Sequence, residues 1–155
     1  MPKVDRKLIA RKLDIVKDLK KIIKNENILH HEDETRPFET DALSAYKQKP
    51  LLVVFPENTE EVSKILSYCN RNRIKVVPRG AGTGLSGGAL PMADCILLCL
   101  GKFKKIIDID YKNRCVVAQP GVTNLSITQA VQDKGFYYAP DPSSQIACSI
   151  GGNVA

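Results

Sequence analysis

Five glycines lie within nine consecutive residues of this chain, and they point most directly to chemistry. Residues 79–88 have the sequence RGAGTGLSGG. Each glycine is entropically costly to order and weakens a helix or strand, so packing gives no reason to collect five of them. A run of exposed backbone N–H groups forms an anion-binding concavity, to which Arg79, Thr83 and Ser86 add side-chain donors. This glycine loop (residues 79–88) therefore predicts a phosphate-bearing ligand.

Two common phosphate motifs do not fit the surroundings of the loop. Residues 82–87 match G-x-G-x-x-G, but that fingerprint must open a helix. Here Pro91 follows, and the next strand is expected near Ile96, which leaves fewer than the about 10–12 residues of a crossover. A Walker A loop is excluded because no Ser or Thr follows Gly101 and Lys102. A merely flexible surface loop is disfavoured, since the loop follows a buried strand directly and contains Leu85.

Alternating strands and helices must position this loop, which indicates an α/β or α+β fold. Apolar runs predict strands at 51–55 and 74–77, joined by a helix that Asn58 caps. Such a strand–helix–strand unit implies parallel strands. The buried stripe of that helix is expected at Val62, Ile65, Leu66 and Cys69. Later strands are predicted at 96–100, 105–110 and 115–119, with a helix from Thr123 or Asn124 to Lys134 that Gly135 ends.

Residues 1–24 predict a basic amphipathic helix. Nine basic and three acidic side chains in this segment account for the whole formal net charge of +6. Its apolar positions follow helical spacing and include Leu8, Leu13, Val16 and Leu19. A surface helix with one packed face is the first interpretation, and contact with an acidic membrane or partner is the second. No second basic element supports nucleic-acid binding, and a transit peptide would have fewer acids and more Ser.

The remaining signals set limits on the class of protein. Residues 25–50 form a polar lead-in, expected as a long loop with His30 and His31 solvated rather than bound to metal. Five cysteines include no Cys-x-x-Cys pair, so we expect no disulfide framework or zinc site, with Cys69, Cys95 and Cys99 in the core. The chain shows no apolar signal core or membrane-length apolar run, which favours a cytoplasmic location.

Several motifs together resemble one known family. Residues 76–91 (VVPRGAGTGLSGGALP), 119–122 (QPGV), 140–144 (PDPSS) and 150–155 (IGGNVA) occur in that family's order and spacing. The chain resembles the FAD-linked oxidases of the PCMH-type or vanillyl-alcohol oxidase superfamily. Within it, the branch that contains the flavoprotein of glycolate oxidase and D-lactate dehydrogenase is the most similar. The resemblance covers about residues 26–155.

This resemblance implies noncovalent FAD bound to the first subdomain of a PCMH-type FAD-binding domain, a mixed sheet with flanking helices over residues 51–155. The implied function is the N-terminal FAD-binding part of a 2-hydroxy-acid dehydrogenase or oxidase, with flavin-type and iron–sulfur partner subunits at the inner face of a membrane. The alternative is a truncated, non-catalytic nucleotide-binding module or a subunit of an oxidase complex. No catalytic or metal residue is expected in this fragment, because the family's substrate domain follows later. The implied cofactor contacts are Arg79, Gly80, Ala81, Gly82, Thr83, Gly84, Leu85, Ser86, Gly87, Gly121, Asp141, Ser144, Gly151, Gly152 and Asn153.

Overall fold

The computed structural model describes residues 3–140 and 142–155, so the predicted contact Asp141 lies outside the described residues. The helices are α1 (Arg6–Ala10), α2 (Lys12–Leu19), α3 (Glu32–Thr35), α4 (Thr59–Asn72), α5 (Asn124–Val131) and α6 (Ile150–Val154). The strands are β1 (Ile28–Leu29), β2 (Leu52–Val54), β3 (Lys75–Arg79), β4 (Cys95–Cys99), β5 (Ile106–Asp110) and β6 (Cys115–Ala118). In the described part of the chain, no helix is both long and apolar enough to span a membrane.

Contacts divide the chain into two compact units. The sheet unit comprises the chain up to Arg79 together with Gly84–Cys99. The hairpin unit comprises Gly80–Thr83 and Leu100–Ala155. The glycine loop therefore contributes residues to both units, and each unit is described by itself below.

The sheet unit is built on a four-stranded mixed sheet with strand order β1-β2-β4-β3. β4 runs parallel to both β2 and β3, whereas β1 is antiparallel to β2. The predicted parallel relation of β2 and β3 is correct, but the two strands are not neighbours, because β4 lies between them. All five residues of β4 are buried, as expected for a central strand covered on both faces.

One face of this sheet forms a compact core. Val53, Val77, Leu97 and the thiols of Cys95 and Cys99 are buried together there. Burial raises the pKa of Cys95 to about 11 and that of Cys99 to about 12. Both thiols therefore stay protonated near neutral pH, as the predicted packing role requires.

Helix α4 begins at the predicted cap but buries a different stripe. The Asn58 side chain accepts a hydrogen bond from the Glu61 N–H at 2.9 Å. Ile65 and Cys69 are buried as expected, whereas Leu66 is 44% exposed and Tyr68 is buried instead. The buried face of α4 is thus centred between Ile65 and Cys69. Tyr68 Oη donates to Asp18 Oδ2 at 3.2 Å, so α4 contacts α2.

The predicted N-terminal helix is two helices in the structure. The chain turns at Arg11, which ends α1 and precedes α2. Ile15 is fully buried, whereas Leu13 is 72% exposed. The prediction that Leu13 packs inward is therefore wrong, because Leu13 lies outside the helical stripe that Leu8, Ile15 and Leu19 form at seven- and four-residue steps. Leu8, Val16 and Leu19 are buried as predicted.

The polar lead-in is more ordered than a long loop. Its residues form β1, which joins the sheet, and the short helix α3. The backbone N–H groups of His30 and His31 both donate to the Glu34 carboxylate, at 3.0 and 2.9 Å. Asn27, Thr35 and Asp41 are buried although polar. Such short elements in a polar stretch carry too little periodicity to be recognised in sequence.

The hairpin unit contains the antiparallel pair β5–β6 and helix α5. A register shift lies between Ile106 and Asp108. α5 is capped by Thr123, whose hydroxyl accepts the Ser126 N–H at 3.1 Å. Gly135 stops the helical segment with a φ of 76°, as predicted. An isolated bridge between Thr123 and Ser149 brings the start of α6 to the start of α5.

Candidate functional site

The glycine loop leaves the carboxyl end of β3 with its backbone open to approach. A Cβ placed on Gly84 or Gly88 would meet no atom within 4 Å. Gly82 and Gly87 have φ values of 75° and 74°, which side-chain-bearing residues rarely adopt. Gly82, Gly84, Gly87 and Gly88 therefore serve turns and open space rather than packing.

The loop also presents unused hydrogen-bond donors. Among the described residues, no acceptor is found for the backbone N–H groups of residues 81–86. Ser86 is exposed, and Leu85 is 71% exposed, an unusual position for a large apolar side chain. Exposed N–H groups in successive turns are what a phosphate group requires. Leu85 adds an apolar surface for a ring to cover, so the loop fits a ligand with both phosphate and ring parts.

Arg79 does not extend into solvent as a free phosphate fork. Its Nη1 donates to the carbonyl of Thr40 at 2.8 Å and, at the longer distance of 3.5 Å, to that of Ala89. Its guanidinium carbon lies 5.8 Å from the centroid of the Phe38 ring. The structure thus connects Arg79 to the lead-in segment, a contact that no sequence pattern predicted.

The hairpin unit brings several of the predicted residues together around Ser149. A Cβ on Gly80 would overlap the Ser149 hydroxyl oxygen, and a Cβ on Gly152 would lie 3.5 Å from it. Gly151 is similarly tight, since its Cβ would lie 2.6 Å from Pro120 Cβ. Gly80 of the loop and Gly152 of α6 therefore share Ser149 as a neighbour, whereas Gly151 packs against Pro120. Ser149 itself was not among the predicted contacts, because a single serine before a helix is a common cap.

Gly121 has a packing reason for being glycine. Its N–H donates to the carbonyl of Phe103 at 2.8 Å. A Cβ at this position would lie 2.6 Å from the Leu100 carbonyl oxygen and 2.7 Å from that of Phe103. The close approach of two backbone segments thus explains this glycine without any ligand, and its contact with a cofactor stays a prediction.

The side chain of Asn153 is engaged within the hairpin unit. Its amide nitrogen donates to Asn124 Oδ1, while Asn124 Nδ2 donates to the Pro140 carbonyl at 3.1 Å. Asn124 is 1% exposed, so this amide pair is buried on one side. Ser144 lies in the preceding turn, where its carbonyl accepts the Cys148 N–H at 2.7 Å. These contacts fix the segment that leads into α6.

No metal site is found within residues 3–140 and 142–155, where no group of three or more His, Cys, Asp or Glu side chains is placed to hold an ion. His30 and His31 lie beside each other with ring centroids 4.1 Å apart. Burial lowers the pKa of His30 below its ordinary value. The backbone N–H groups of the glycine loop are donors, so they suit an organic phosphate rather than a metal ion.

Comparison with known proteins places this fold in a family. The family described as "FAD binding domain" matches residues 50–155. Glycolate oxidase subunit GlcD of Escherichia coli (strain K12) is 52% identical over 155 residues, which are 100% of this chain and 30% of that protein. D-lactate dehydrogenase of Anaerostipes hadrus is 36% identical over 136 residues, 87% of this chain and 28% of that protein.

A solved structure supports the same fold. The 4-ethylphenol oxidase from Gulosibacter chungangensis, in its isoeugenol complex, superposes with a TM-score of 0.78 and 25% identity. The superposition covers 97% of this chain and 29% of that one. The chain therefore spans about 30% of the length of the proteins that it matches.

Proposed function

Because the chain belongs to the FAD binding domain family, whose cofactor is FAD, we propose that it is the N-terminal FAD-binding part of a flavin-dependent dehydrogenase or oxidase of 2-hydroxy acids. Similarity to a glycolate oxidase subunit and to a D-lactate dehydrogenase supports substrates of the glycolate or D-lactate type. The observation that carries the proposal is the glycine loop, with its open backbone inside the matched region. Its N–H groups, which find no acceptor among residues 3–140 and 142–155, fit the pyrophosphate of a dinucleotide.

The proposed cofactor contacts follow the two units. In the sheet unit, Gly84 to Gly87 offer N–H groups and the exposed side chain of Leu85. In the hairpin unit, Gly80 to Thr83 continue the same loop, Gly152 adjoins it through Ser149, and Gly151 lies beside Gly152. Gly121, Asp141, Ser144 and Asn153 are further proposed contacts toward the adenosine and ring ends. Loop N–H groups are suited to this role because they donate to phosphate oxygens without bringing in a side chain.

We assign no catalytic residue to this chain. When bound, FAD would accept a hydride equivalent from the hydroxyl-bearing carbon of the 2-hydroxy acid. This chemistry belongs to the cofactor. The residues described here bind and orient the dinucleotide. Substrate recognition is assigned to the remaining about 70% of the length of the similar proteins.

A titration tests the proposal. Purified full-length protein, stripped of cofactor, should bind FAD with micromolar or tighter affinity and should then oxidise glycolate or D-lactate with an artificial electron acceptor. Equal affinity for FAD, ADP and inorganic phosphate would contradict the proposal. Tight FAD binding without oxidation of any 2-hydroxy acid would favour the second candidate, a non-catalytic FAD-binding module.

We further propose that the protein acts at the cytoplasmic face of a membrane, beside flavin-type and iron–sulfur subunits. Support comes from the N-terminal basic surface, six exposed cations that form no ion pair among the described residues: Lys3, Arg6, Lys7, Arg11, Lys17 and Lys20. Leu13 stands 72% exposed on the same pair of helices. An apolar side chain among cations suits the boundary between lipid headgroups and acyl chains.

A further inference from the structure

One arginine joins the two ends of the glycine loop. Arg79 is the first residue of the loop, and Ala89 follows its last glycine. The Arg79 Nη1 group donates to the carbonyl of Ala89 at 3.5 Å and to that of Thr40 at 2.8 Å. A single guanidinium group therefore holds the beginning and the end of the loop against the lead-in segment, all within the sheet unit.

The lead-in segment is itself shaped to receive this contact. Residues 38–43, here called the brace segment, contain Phe38, which lies under the guanidinium group. Asp41 is 5% exposed, and its Oδ1 accepts the Leu43 N–H at 2.9 Å. Leu43 Cδ2 lies 3.8 Å from the position that a Cβ on Gly87 would take. The brace segment thus also lies close to the loop at Gly87, eight residues beyond Arg79.

Holding the ends of this loop has an energetic reason. Five glycines give the free loop a large conformational entropy, which binding must remove. Fixing the ends beforehand lowers that cost and so raises affinity without any direct contact. Guanidinium suits the task because its planar donors bridge carbonyls while its face covers an aromatic ring, whereas an ammonium group lacks that geometry.

We propose that Arg79 is a positioning residue whose guanidinium group orders the glycine loop against the brace segment, rather than a ligand of the cofactor phosphates. This inference rests on the proposed FAD site. It replaces the expectation that the Arg79 guanidinium group donates hydrogen bonds to the pyrophosphate oxygens. The loop N–H groups bind, and Arg79 sets where they lie.

Salt dependence separates the two roles in the full-length protein. Arg79→Gln removes the charge and the bridge, whereas Arg79→Lys keeps the charge and removes the bridge. Both variants should raise the FAD dissociation constant about tenfold, because a charge-assisted hydrogen bond is lost in each. The dependence of FAD affinity on salt concentration should match that of the wild type, because neither variant removes a charge that contacts the phosphates. Arg71→Gln, on an exposed position of α4, is the matched control and should change neither.

A second measurement uses the FAD-free protein and separates positioning from general destabilisation. Backbone hydrogen exchange should become faster in both Arg79 variants at the N–H groups of Leu90 and Leu43, which are hydrogen-bonded to the Gly87 carbonyl and to Asp41 Oδ1 in the loop and the brace segment. Exchange in the central strand β4 should stay unchanged, because the sheet does not depend on this contact. The result does not depend on FAD, so it still decides the role of Arg79 if the wild-type protein fails to bind FAD and the proposed function is wrong.

Three results would overturn the inference. The first is wild-type affinity in Arg79→Lys together with a reduced salt slope in Arg79→Gln, which marks a direct phosphate contact. The second is faster exchange in β4 as well as in the loop, which marks loss of stability throughout the unit. The third is unchanged exchange at both Leu43 and Leu90 in the two variants.

Discussion

Gly121 and Gly88 both lie in the region that matches the FAD binding domain family, but only Gly121 has neighbours where a Cβ would be. Gly121→Ala would place a carbon 2.6 Å from the Leu100 carbonyl oxygen, an approach that backbone must shift to avoid. We predict that this variant lowers the free energy of unfolding by about 2 kcal/mol, as overpacking commonly does. Urea denaturation followed by circular dichroism measures the change.

Gly88→Ala is the matched control, because its Cβ would meet nothing within 4 Å. Its stability should be unchanged or higher by about 0.5 kcal/mol, through the lower entropy of the unfolded chain. Equal losses in the two variants would show that the close backbone approach at Gly121 does not constrain the fold.

At the scale of single residues, the sequence predicts where the glycine loop lies better than it predicts the contacts that its residues make. Glycine density alone located the loop, and the positive φ values of Gly82 and Gly87 agree with a tight turn. The contacts of Arg79 with Thr40 and of Gly80 with Ser149 join residues 39 and 69 positions apart. No local pattern encodes such pairs, because they depend on how separate elements meet.

One ion pair between a buried carboxylate and a partly exposed lysine joins three elements of the sheet unit. Asp94 precedes β4 and is 1% exposed; its Oδ2 accepts the Lys75 ammonium group of β3 at 2.7 Å and the N–H of Asp5, the cap of α1, at 2.8 Å. Burial raises the pKa of the Asp94 carboxyl, but these hydrogen bonds outweigh burial and leave the pKa below its ordinary 3.8.

We predict that Asp94→Asn lowers the free energy of unfolding at pH 7 by about 2 kcal/mol, because the Lys75 ammonium group and the Asp5 N–H then lose a charged acceptor. A carboxyl with a lowered pKa in the folded state stabilises the protein above its unfolded pKa. That contribution disappears as the pH falls through the folded value. The difference between wild type and variant should therefore be constant from pH 5 to 7 and shrink below about pH 3.8.

Thermal melts between pH 2.5 and 7 measure this difference. Glu60→Gln is the control, since it removes an exposed pair with Lys64 on α4 and should hardly change stability. A difference between wild type and Asp94→Asn that persists unchanged at pH 2.5 would mean that charge on Asp94 does not stabilise the fold.

Elements with strong periodicity were predicted well, and weak ones were not. The strands at residues 52–54 and 95–99 are continuous apolar runs, and the cap at Asn58 carries its own signal. β1 has only two residues in a polar stretch, so hydrophobic patterning cannot reveal it. The turn at Arg11 also escaped prediction, because the apolar spacing from Leu8 to Ile15 and Leu19 continues across it.

Charge is distributed unevenly over the molecule. The first 24 residues account for the net charge of +6, and their cations are mostly exposed. We predict binding to vesicles containing an anionic lipid such as phosphatidylglycerol, with weakening as salt rises. Charge reversal of Lys17 and Lys20 together should weaken binding about tenfold or more. Vesicle sedimentation at several salt concentrations gives the measurement.

Leu13 offers a test of insertion with a built-in comparison. Leu13→Asn should weaken vesicle binding, because its exposed side chain lies among the cations. Leu66→Asn removes another exposed leucine, on α4, and should leave binding unchanged. Salt-independent binding, or equal effects of the two substitutions, would contradict membrane contact through the N-terminal basic surface.

The central claim is that the open backbone of the glycine loop binds FAD, and Gly84 tests it most directly. Gly84→Val adds a side chain where the protein has no atom within 4 Å, so the fold should tolerate it. The same side chain blocks a ligand that must approach the backbone closely. Equilibrium titration of wild type and Gly84→Val with FAD, alongside urea midpoints for both, is the measurement. The account predicts an unchanged urea midpoint and at least an about tenfold loss of FAD affinity. Equal FAD affinity in the two proteins would contradict it.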